Sequence, residues 1–377
     1  MHASEERAAL GRVVAAMQHY RQDAELEVQR WECNYKRLSP AHQAILSSHP
    51  HKCAVARAAI NTNDYFLQSM LHAYDASEDG SPPEVPAMLA YANSAGAEVV
   101  AGRGPQPSAM DVSKVRYLLS NLARDWSAEG QRERDQSYGR ICTELASLFH
   151  TWPAGQAPPR VLVPGTGLAR LCCEVASLGY AAEGNEFSYF MLLASSFILN
   201  QLSGPEEFTI HPFVLNACNH VGEADQARGL EIPDRHPSEL VRGEGLLSMC
   251  AGDFVVSYGA PSMAASFDSV VTCFFIDTAH NVLQYLEVIH HCLKPGGYWV
   301  NLGPLLWHWA DFPVQADELS VELSLEELRR VASQMGFTML REESVEARYI
   351  ADQRSMFKTT YQASFWTMVK SSEPPVA

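Results

Sequence analysis

One stretch of the chain, residues 266–309, limits the fold more than any other. It contains an apolar strand (SFDSVVTCFFI), the acidic Asp277, an amphipathic helix, a Lys-Pro-Gly-Gly turn and a second apolar strand (YWVNLGPL). Strand, helix and strand in this order predict a parallel sheet, because two parallel strands need a crossover that is usually helical. Open sheets of this kind bind ligands at the carboxyl ends of their strands, which makes Asp277 a candidate site residue.

The same alternation extends over residues 160–370. Further strands are predicted at RVLVP, YAAEGNE, EFTIHPF, GDFVVSY and TYQASFWTMVK, and helices at GLARLCCEVASLG, SYFMLLASSFILNQL and SLEELRRVASQMGF. The last helix has Ser324 and Glu327 at capping-box spacing. Strands alternating with helices predict an α/β fold with a mostly parallel, Rossmann-like sheet covered by helices on both faces. The run VEARYIADQR, of mixed charge, is interpreted as a solvated segment or a lid.

The N-terminal part of the chain has a different character. Apolar residues recur at helical spacing over residues 8–71 and again from residue 112 to 150, while residues 75–110 contain DGSPPEVP and GRGPQPS and predict a flexible loop. We therefore predict a helical region at 1–150 and a Rossmann-like domain at 151–377. This division agrees with roughly 150 residues per domain as a prior for 377 residues.

Composition argues against several classes of partner. The net charge of -16 argues against nucleic-acid binding, which needs clustered Lys and Arg. No apolar run approaches the ~18 residues of a membrane span, and the charged N-terminal residues are expected to form an amphipathic helix rather than a secretion signal. The nine cysteines are scattered without a C-x-x-C pair, which favours a reducing compartment. We expect a cytoplasmic protein, with the nucleus as an alternative. The oligomeric state stays open, a homodimer being one alternative.

Three histidines, His280, His290 and His291, lie close together in sequence. Their spacing is poor for zinc, because no pair stands at i, i+4 with a carboxylate partner. A solvated helix surface explains them better, and no metal site is expected.

A glycine turn, VLVPGTGLARL, follows the first predicted strand. Gly165 and Gly167 supply the permissive backbone that a strand-to-helix turn beside a ligand needs, although a structural turn explains a lone G-x-G equally well. Glu186 follows about 20 residues later at the end of a strand, where a carboxylate accepts hydrogen bonds from ribose hydroxyls. Asp253 could accept from the adenine amine, and Phe254 could pack on the base.

The turn favours S-adenosylmethionine over a nicotinamide cofactor. The third glycine of the dinucleotide motif is absent, since Arg170 stands in its place. S-adenosylmethionine carries no phosphates, so a G-x-G turn suffices, whereas a pyrophosphate is usually bound at a glycine-rich helix start. The helix–KPGG–strand junction is also typical of class I methyltransferases.

Four segments carry a closer resemblance. They are VLVPGTGLARL, EGNEFSYFMLLASSFILN, CFFIDTAHNV and LKPGGYWVNLGPLLWHW, and with them the chain resembles the carnosine N-methyltransferase family over roughly residues 112–370. The resemblance implies a class I methyltransferase with a seven-stranded sheet. It also implies methyl transfer from S-adenosylmethionine to the imidazole Nπ of carnosine or a related histidine-containing dipeptide, giving anserine from carnosine.

The resemblance also implies roles for individual residues around the cofactor. Arg124 would bind the methionine carboxylate, Gly165 would lie beneath the cofactor, and Glu186 would hold the ribose, with Asp253 and Phe254 at the adenine end. Two further cofactor positions depart from the family. Asn121 stands where a Gln is expected, and Ser269 stands where a Cys is found.

The acceptor pocket is implied in the same way. Asp277, His308 and Tyr361 are placed there as catalytic and substrate-binding residues, with Tyr349 nearby, while Thr359 replaces a family aromatic. Taken alone, a histidine in LLWHW and a tyrosine in a strand are more often core residues.

A neutral imidazole needs orientation more than activation, because its ordinary pKa is near ~6.5. A carboxylate that accepts the N–H of one ring nitrogen leaves the lone pair of the other nitrogen available. Asp277 is the candidate for this role. Two alternatives remain open: a histidine methyltransferase acting on proteins or peptides, and a catalytically silent cofactor-binding partner protein.

Overall fold

The structure, a computed structural model, describes residues 3–73, 107–153, 155–311 and 319–371. Most of the loop predicted at 75–110 lies outside these residues. The chain divides into two compact units. The first comprises Met1–Gln131, Tyr189–His236 and Ile350–Lys358, and the second Arg132–Ser188, Pro237–Tyr349 and Thr359–Ala377.

The described strands are β1 Arg160–Pro164, β2 Ala181–Glu186, β3 Phe208–Ile210, β4 Leu230–Ile232, β5 Leu247–Ala251, β6 Phe267–Cys273, β7 Leu293–Gly303, β8 Phe337–Arg348 and β9 Thr360–Lys370. The helices of the first unit are Ala3–Lys36, Pro40–Ile45, His49–His72, Ala109–Trp126, Tyr189–Asn200 and the short Glu223–Gln226. Those of the second are Arg140–Leu148, Arg170–Ser177, Pro237–Leu240, Phe254–Tyr258, Val282–Cys292 and Leu325–Gln334, with Gln131–Arg134 at the boundary. None of the described helices has the length and apolar character needed to cross a membrane.

The first unit is mainly helical. Its long helices carry buried apolar faces, as the spacing over residues 8–71 predicts, and β3 pairs antiparallel with β4 in a small sheet of its own. The strand predicted at EFTIHPF is therefore present, but it does not belong to the large sheet.

The second unit is built on a seven-stranded sheet in the order β5-β2-β1-β6-β7-β9-β8. The pairs among β5, β2, β1, β6 and β7 are parallel, and β9 runs antiparallel to β7 and β8. Along β6, Val270 belongs to one apolar core and Val271 to another, so side chains of alternate residues fill both faces. Burial on both faces explains the apolar residues 161–163 of β1 and 270–271 of β6. The predicted α/β class with a mostly parallel sheet is confirmed.

One predicted strand is wrong, and one strand of the sheet is not indicated by the sequence pattern. GDFVVSY is not a strand: β5 precedes it, and Phe254–Tyr258 is a helix capped by the Asp253 side chain, which accepts from the Val256 N–H at 2.9 Å. A capping carboxylate satisfies a helix N–H and outweighs the strand preference of Val and Tyr. The strand that the pattern does not indicate is β8, whose residues 345–348 are the first four of VEARYIADQR. Its side chains are largely exposed at the edge of the sheet, so it lacks apolar alternation.

The Lys-Pro-Gly-Gly segment has a structural role. It forms the start of β7, where Gly296 adopts φ +77°, and the Lys294 ammonium pairs with the Asp268 carboxylate at 2.8 Å. The register of β7 against β6 shifts here, because Phe267 pairs with Leu293 and Ser269 with Tyr298. A bulge of this kind re-aims the strand as it enters the sheet.

A buried carboxylate joins three elements of the second unit. Glu144 accepts hydrogen bonds from Thr367 in β9 at 2.8 Å, from Arg341 in β8 at 2.8 Å and from Arg140 on its own helix at 3.1 Å. Burial raises the pKa of Glu144, but these hydrogen bonds lower it more, so the net pKa lies below its ordinary value. The ionised form therefore stabilises the fold.

We expect Glu144→Gln to lower the free energy of unfolding by about 3 kcal/mol, because three donors lose a charged acceptor in a buried place. The matched control is Glu343→Gln, which removes a largely exposed carboxylate from the same Arg140 and should cost less than about 1 kcal/mol. Urea unfolding of the full chain measures both.

The pH dependence of the wild type has a definite sign. The pKa of Glu144 is lower in the folded than in the unfolded protein. Its contribution to the free energy of unfolding is therefore present above the unfolded-state pKa and is lost as pH falls through the folded-state pKa. If Glu144→Gln and Glu343→Gln lowered the free energy of unfolding equally, a stabilising role of the buried Glu144 carboxylate would be contradicted.

Candidate active site

The glycine turn follows β1 directly, as the sequence predicts. Gly165 and Gly167 adopt φ of +64° and +57°, and the Thr166 N–H donates to the Asn185 carbonyl at 3.0 Å. A Cβ on Gly165 would stand 2.3 Å from Cδ2 of Phe275. Glycine is therefore required at position 165 by its backbone conformation and by the neighbouring aromatic ring.

Glu186 ends β2 beside this turn. One carboxylate oxygen accepts from the Gly167 N–H at 2.8 Å, and the other accepts from Phe187 N–H at 2.8 Å and Ser188 N–H at 2.7 Å. Burial raises the pKa of Glu186 although the three N–H donors lower it. The structure thus brings Gly167 and Glu186 together, with the carboxylate fixed by backbone groups.

Asp253 and Phe254 follow β5, the strand adjacent to β2. The Gly252 N–H donates to the Glu186 carbonyl at 2.9 Å, which ties this turn to the end of β2. Phe254 is 3% exposed and meets Phe275 edge-on, with ring centroids 5.4 Å apart. The proposed adenine-end residues therefore lie beside the ribose-end residue, as parallel strands with a common direction require.

Two aromatic residues that were not among the predicted site residues, Phe275 and Tyr285, also lie here. Their rings stack with centroids 4.8 Å apart at 12°, and Phe254 packs edge-on against Tyr285 at 5.3 Å. Burial raises the pKa of Tyr285, and the carboxylates of Asp253 and Glu186 raise it further. Tyr285 therefore lies within electrostatic reach of both carboxylates. The available signal was the FF pair in CFFID, directly after a strand.

Three other predicted cofactor residues have different surroundings. Ser269 lies fully buried within β6, paired with Val161 of β1, rather than at the end of a strand. Asn121 and Arg124 belong to the helix Ala109–Trp126 of the first unit. The Asn121 amide donates to the Tyr117 carbonyl at 2.9 Å, and Arg124 forms two hydrogen bonds, of 2.7 and 2.8 Å, with Asp125.

Asp277 lies just beyond the carboxyl end of β6, in the short 3-10 helix Ile276–Thr278. It is 2% exposed, and its Oδ2 accepts from the Leu306 N–H at 2.9 Å, while its carbonyl accepts from the His308 N–H at 2.9 Å. Burial raises the pKa of Asp277, opposed by the Leu306 N–H and by the nearby His308. The carboxylate is thus held by the segment that follows β7.

His308 and the two tyrosines occupy neighbouring elements. His308 is exposed and bound to Asp277 through its backbone. Tyr349 follows β8, and Tyr361 lies in β9 opposite Ala347. Phe274, which was not among the predicted site residues, contacts both tyrosines. Its ring stacks on that of Tyr349, with ring centroids 4.5 Å apart, and meets that of Tyr361 edge-on, with centroids 6.0 Å apart.

Phe274 has an unusual backbone for a bulky residue, with φ +51°. Its N–H donates to the Leu302 carbonyl at 2.8 Å, and a Cβ on Gly303 would stand 3.2 Å from its backbone. Such a conformation costs on the order of 1–3 kcal/mol and persists where the surroundings enforce it, often at functional sites. The turn after β6 thereby directs Phe274 to the tyrosines and leads on to Asp277.

These groups suit a reaction governed by positioning. The described residues contain no group of three His, Cys, Asp or Glu side chains that could hold a metal ion. All nine cysteines are free thiols, and burial raises the pKa of Cys172 and Cys292 to about 12, so these two thiols are poor nucleophiles. What the site offers is one buried carboxylate, an aromatic wall and a glycine turn with an acidic strand end beside it.

The strand order, the glycine turn after β1 and the acidic end of β2 define the fold of a class I methyltransferase. A sequence profile of the carnosine N-methyltransferase family matches residues 102–372. The chain therefore belongs to the carnosine N-methyltransferase family.

Individual relatives agree with this assignment. Carnosine N-methyltransferase of Schizosaccharomyces pombe is 44% identical over 261 residues, covering 68% of this chain and 70% of the relative. The Rattus norvegicus protein of the same name is 35% identical over 370 residues, covering 97% of this chain and 86% of the relative. Among solved structures, phosphoethanolamine N-methyltransferase 2 of Haemonchus contortus, in complex with S-adenosyl-L-methionine, has a TM-score of 0.36 at 16% identity, covering 63% of this chain and 44% of that one. The family assignment rests on the sequence relatives.

The glycine turn yields a test with a matched control. Gly165→Ala should lower the free energy of unfolding by about 3 kcal/mol or more, because positive φ and the clash with Phe275 act together. Gly179→Ala should cost only about 1 kcal/mol, since Gly179 has φ +84° but no atom within 4 Å of the added Cβ. Urea unfolding measures both variants, and equal losses would show that Phe275 does not constrain the turn.

Proposed function

We propose that this chain transfers a methyl group from S-adenosylmethionine to the imidazole Nπ of carnosine or a related histidine-containing dipeptide, giving anserine from carnosine. The observation that carries the proposal is the buried Asp277 carboxylate at the carboxyl end of β6, in a chain of the carnosine N-methyltransferase family. Family relatives that bear this activity in their names cover most of the chain.

Two of the predicted cofactor residues have the chemistry that S-adenosylmethionine requires. Glu186 has two carboxylate oxygens with about four acceptor positions, of which three backbone N–H groups use three, so capacity remains for a ribose hydroxyl. Arg124, in the first unit, carries a guanidinium bound by Asp125, and a guanidinium is the kind of group that binds a carboxylate such as that of the methionine moiety. When bound, the cofactor supplies an electrophilic methyl group on a sulfonium.

Asp277 determines which imidazole nitrogen can react. An ionised carboxylate accepts the N–H of one ring nitrogen and leaves the lone pair of the other nitrogen directed away from it. The ring gains positive charge as its nitrogen becomes methylated, and the nearby carboxylate stabilises that charge. The Leu306 N–H keeps the Asp277 side chain oriented throughout.

The aromatic wall of Phe274, Tyr349 and Tyr361 suits the same acceptor. Aromatic faces attract cationic groups through their quadrupole, so a ring that becomes an imidazolium is stabilised beside them. The reaction also needs two correctly oriented reactants. Orientation of this kind contributes on the order of 7–11 kcal/mol to lowering a barrier.

The proposed activity is tested with methyl-labelled S-adenosylmethionine and carnosine. We expect label in carnosine, with NMR placing the methyl group on Nπ. Label on the other nitrogen would contradict the proposed orientation. Label in cellular proteins but not in carnosine would favour a histidine methyltransferase of proteins or peptides, and no transfer to any acceptor would favour a silent partner protein.

The role of Asp277 is tested separately. We expect Asp277→Asn to lower kcat by about 10²–10³-fold, because a neutral amide orients the ring and stabilises its charge less well. The Asn oxygen can still accept from Leu306, so the affinity for S-adenosylmethionine should stay within about twofold. Asp311→Asn, at an exposed carboxylate on the segment that follows β7, is the control. Wild-type turnover in Asp277→Asn would refute the role.

Burial also gives Asp277 a pH signature. Because its folded pKa is raised above the ordinary 3.8, folding favours the protonated form, and the stability this contributes is lost as pH rises through the folded pKa. We expect Asp277→Asn to remove this component from the pH profile of thermal stability. An unchanged profile would contradict the raised pKa.

A further inference from the structure

The connection between β8 and β9 is longer than its strands require. Arg348 pairs with Thr360 at the end of the antiparallel ladder, and about two to five residues would close such a hairpin. Instead the chain continues through residues 349–359, here called the β8–β9 connection. Tyr349 begins it, and Tyr361 follows just after its end. The course of the connection therefore affects both tyrosines of the aromatic wall.

A buried ion pair holds this connection. Arg228 donates from Nη2 to Oδ1 of Asp352 at 2.6 Å, and the two side chains are 7% and 8% exposed. Arg228 also binds both carboxylate oxygens of Glu129, at 3.0 and 2.5 Å, and its guanidinium lies 4.1 Å from the centroid of the Phe213 ring. A planar guanidinium fork can bind two carboxylates at once in a way that lysine cannot.

Other contacts of the connection involve its backbone, the buried Ser355 and the exposed Arg354. The Met356 N–H donates to the Asn219 carbonyl at 2.8 Å, Ser355 forms a bridge with His220, and Arg354 reaches Asp225 at 3.3 Å. The Arg354 side chain is 57% exposed, and exposed ion pairs contribute little. The pair of Arg228 with Asp352 is a buried, charged contact, which can fix the course of the connection more firmly than the exposed pair of Arg354 with Asp225.

We propose that Arg228 is a positioning residue for acceptor binding. Through Asp352 it holds the β8–β9 connection, and through the connection it holds Tyr349 and Tyr361 in the geometry of the aromatic wall. This inference rests on the proposed function, since it takes the two tyrosines as part of the acceptor site.

The network offers its own control. Glu129 and Asp352 bind the same guanidinium, but only Asp352 belongs to the connection. Removing either carboxylate leaves Arg228 with one charged partner, so neither change leaves that guanidinium unpaired in the interior. A purely structural network would respond alike to both substitutions, whereas a positioning role singles out Asp352.

The experiment compares Asp352→Asn with Glu129→Gln in the full chain, using carnosine as acceptor. We expect Asp352→Asn to raise KM for carnosine about tenfold or more, because small displacements of positioning groups cost one to two orders of magnitude. The affinity for S-adenosylmethionine should stay within about twofold. Glu129→Gln should leave KM for carnosine within about twofold of the wild-type value. This should hold even if Glu129→Gln lowers the melting temperature as much as Asp352→Asn does.

Hydrogen–deuterium exchange gives a second readout. Exchange over residues 349–359 should accelerate in Asp352→Asn and stay near wild type in Glu129→Gln. Equal KM increases in both variants, a parallel loss of cofactor affinity, or unchanged exchange in Asp352→Asn would each overturn the proposal.

The two proposals fail in different ways. If wild-type protein does not methylate carnosine, the proposed function fails and the exchange readout alone decides whether Asp352 anchors the connection. If carnosine is methylated but Asp352→Asn has wild-type KM, the positioning role fails and the proposed function stands.

Discussion

The hydrogen bond from the Leu306 N–H to the Asp277 carboxylate is the contact on which the candidate site depends. A carboxylate that is 2% exposed is costly unless a donor meets it. That donor comes from the segment after β7, so the carboxyl ends of β6 and β7 must lie side by side. The parallel pairing of these strands provides this, and the turn containing Asp277 then leads into the helix Val282–Cys292.

The same principle organises the cofactor side. The Glu186 carboxylate accepts hydrogen bonds from three backbone N–H groups. One belongs to the glycine turn after β1, and the other two belong to Phe187 and Ser188, which follow Glu186 in the chain. The Phe275 ring occupies the space a Cβ on Gly165 would need, and it stacks on Tyr285. Because Phe275 precedes Asp277 by two residues, the turn after β6 serves both halves of the site.

Much of the second unit could be predicted from sequence, because the centres of β1, β6 and β7 are buried and carry apolar residues that stand out in the chain. β8 could not, since it lies at the sheet edge with exposed, charged side chains. The helix Phe254–Tyr258 could not either, because a capping carboxylate at Asp253 decided against the strand preference of its residues. The predicted site residues Gly165, Glu186 and Asp277 lie at the strand ends where the pattern placed them.

The sequence by itself determined the α/β class, the glycine turn, the acidic end of β2 and the resemblance to the family. These are local signals, set by periodicity and by residue types at fixed spacing. Only the tertiary structure decided that Phe274 joins Tyr349 and Tyr361, that Leu306 holds Asp277, and that the β8–β9 connection belongs with the first unit. These contacts link residues far apart in the chain, and no spacing rule encodes them. They form because burial leaves each charged or aromatic group few partners.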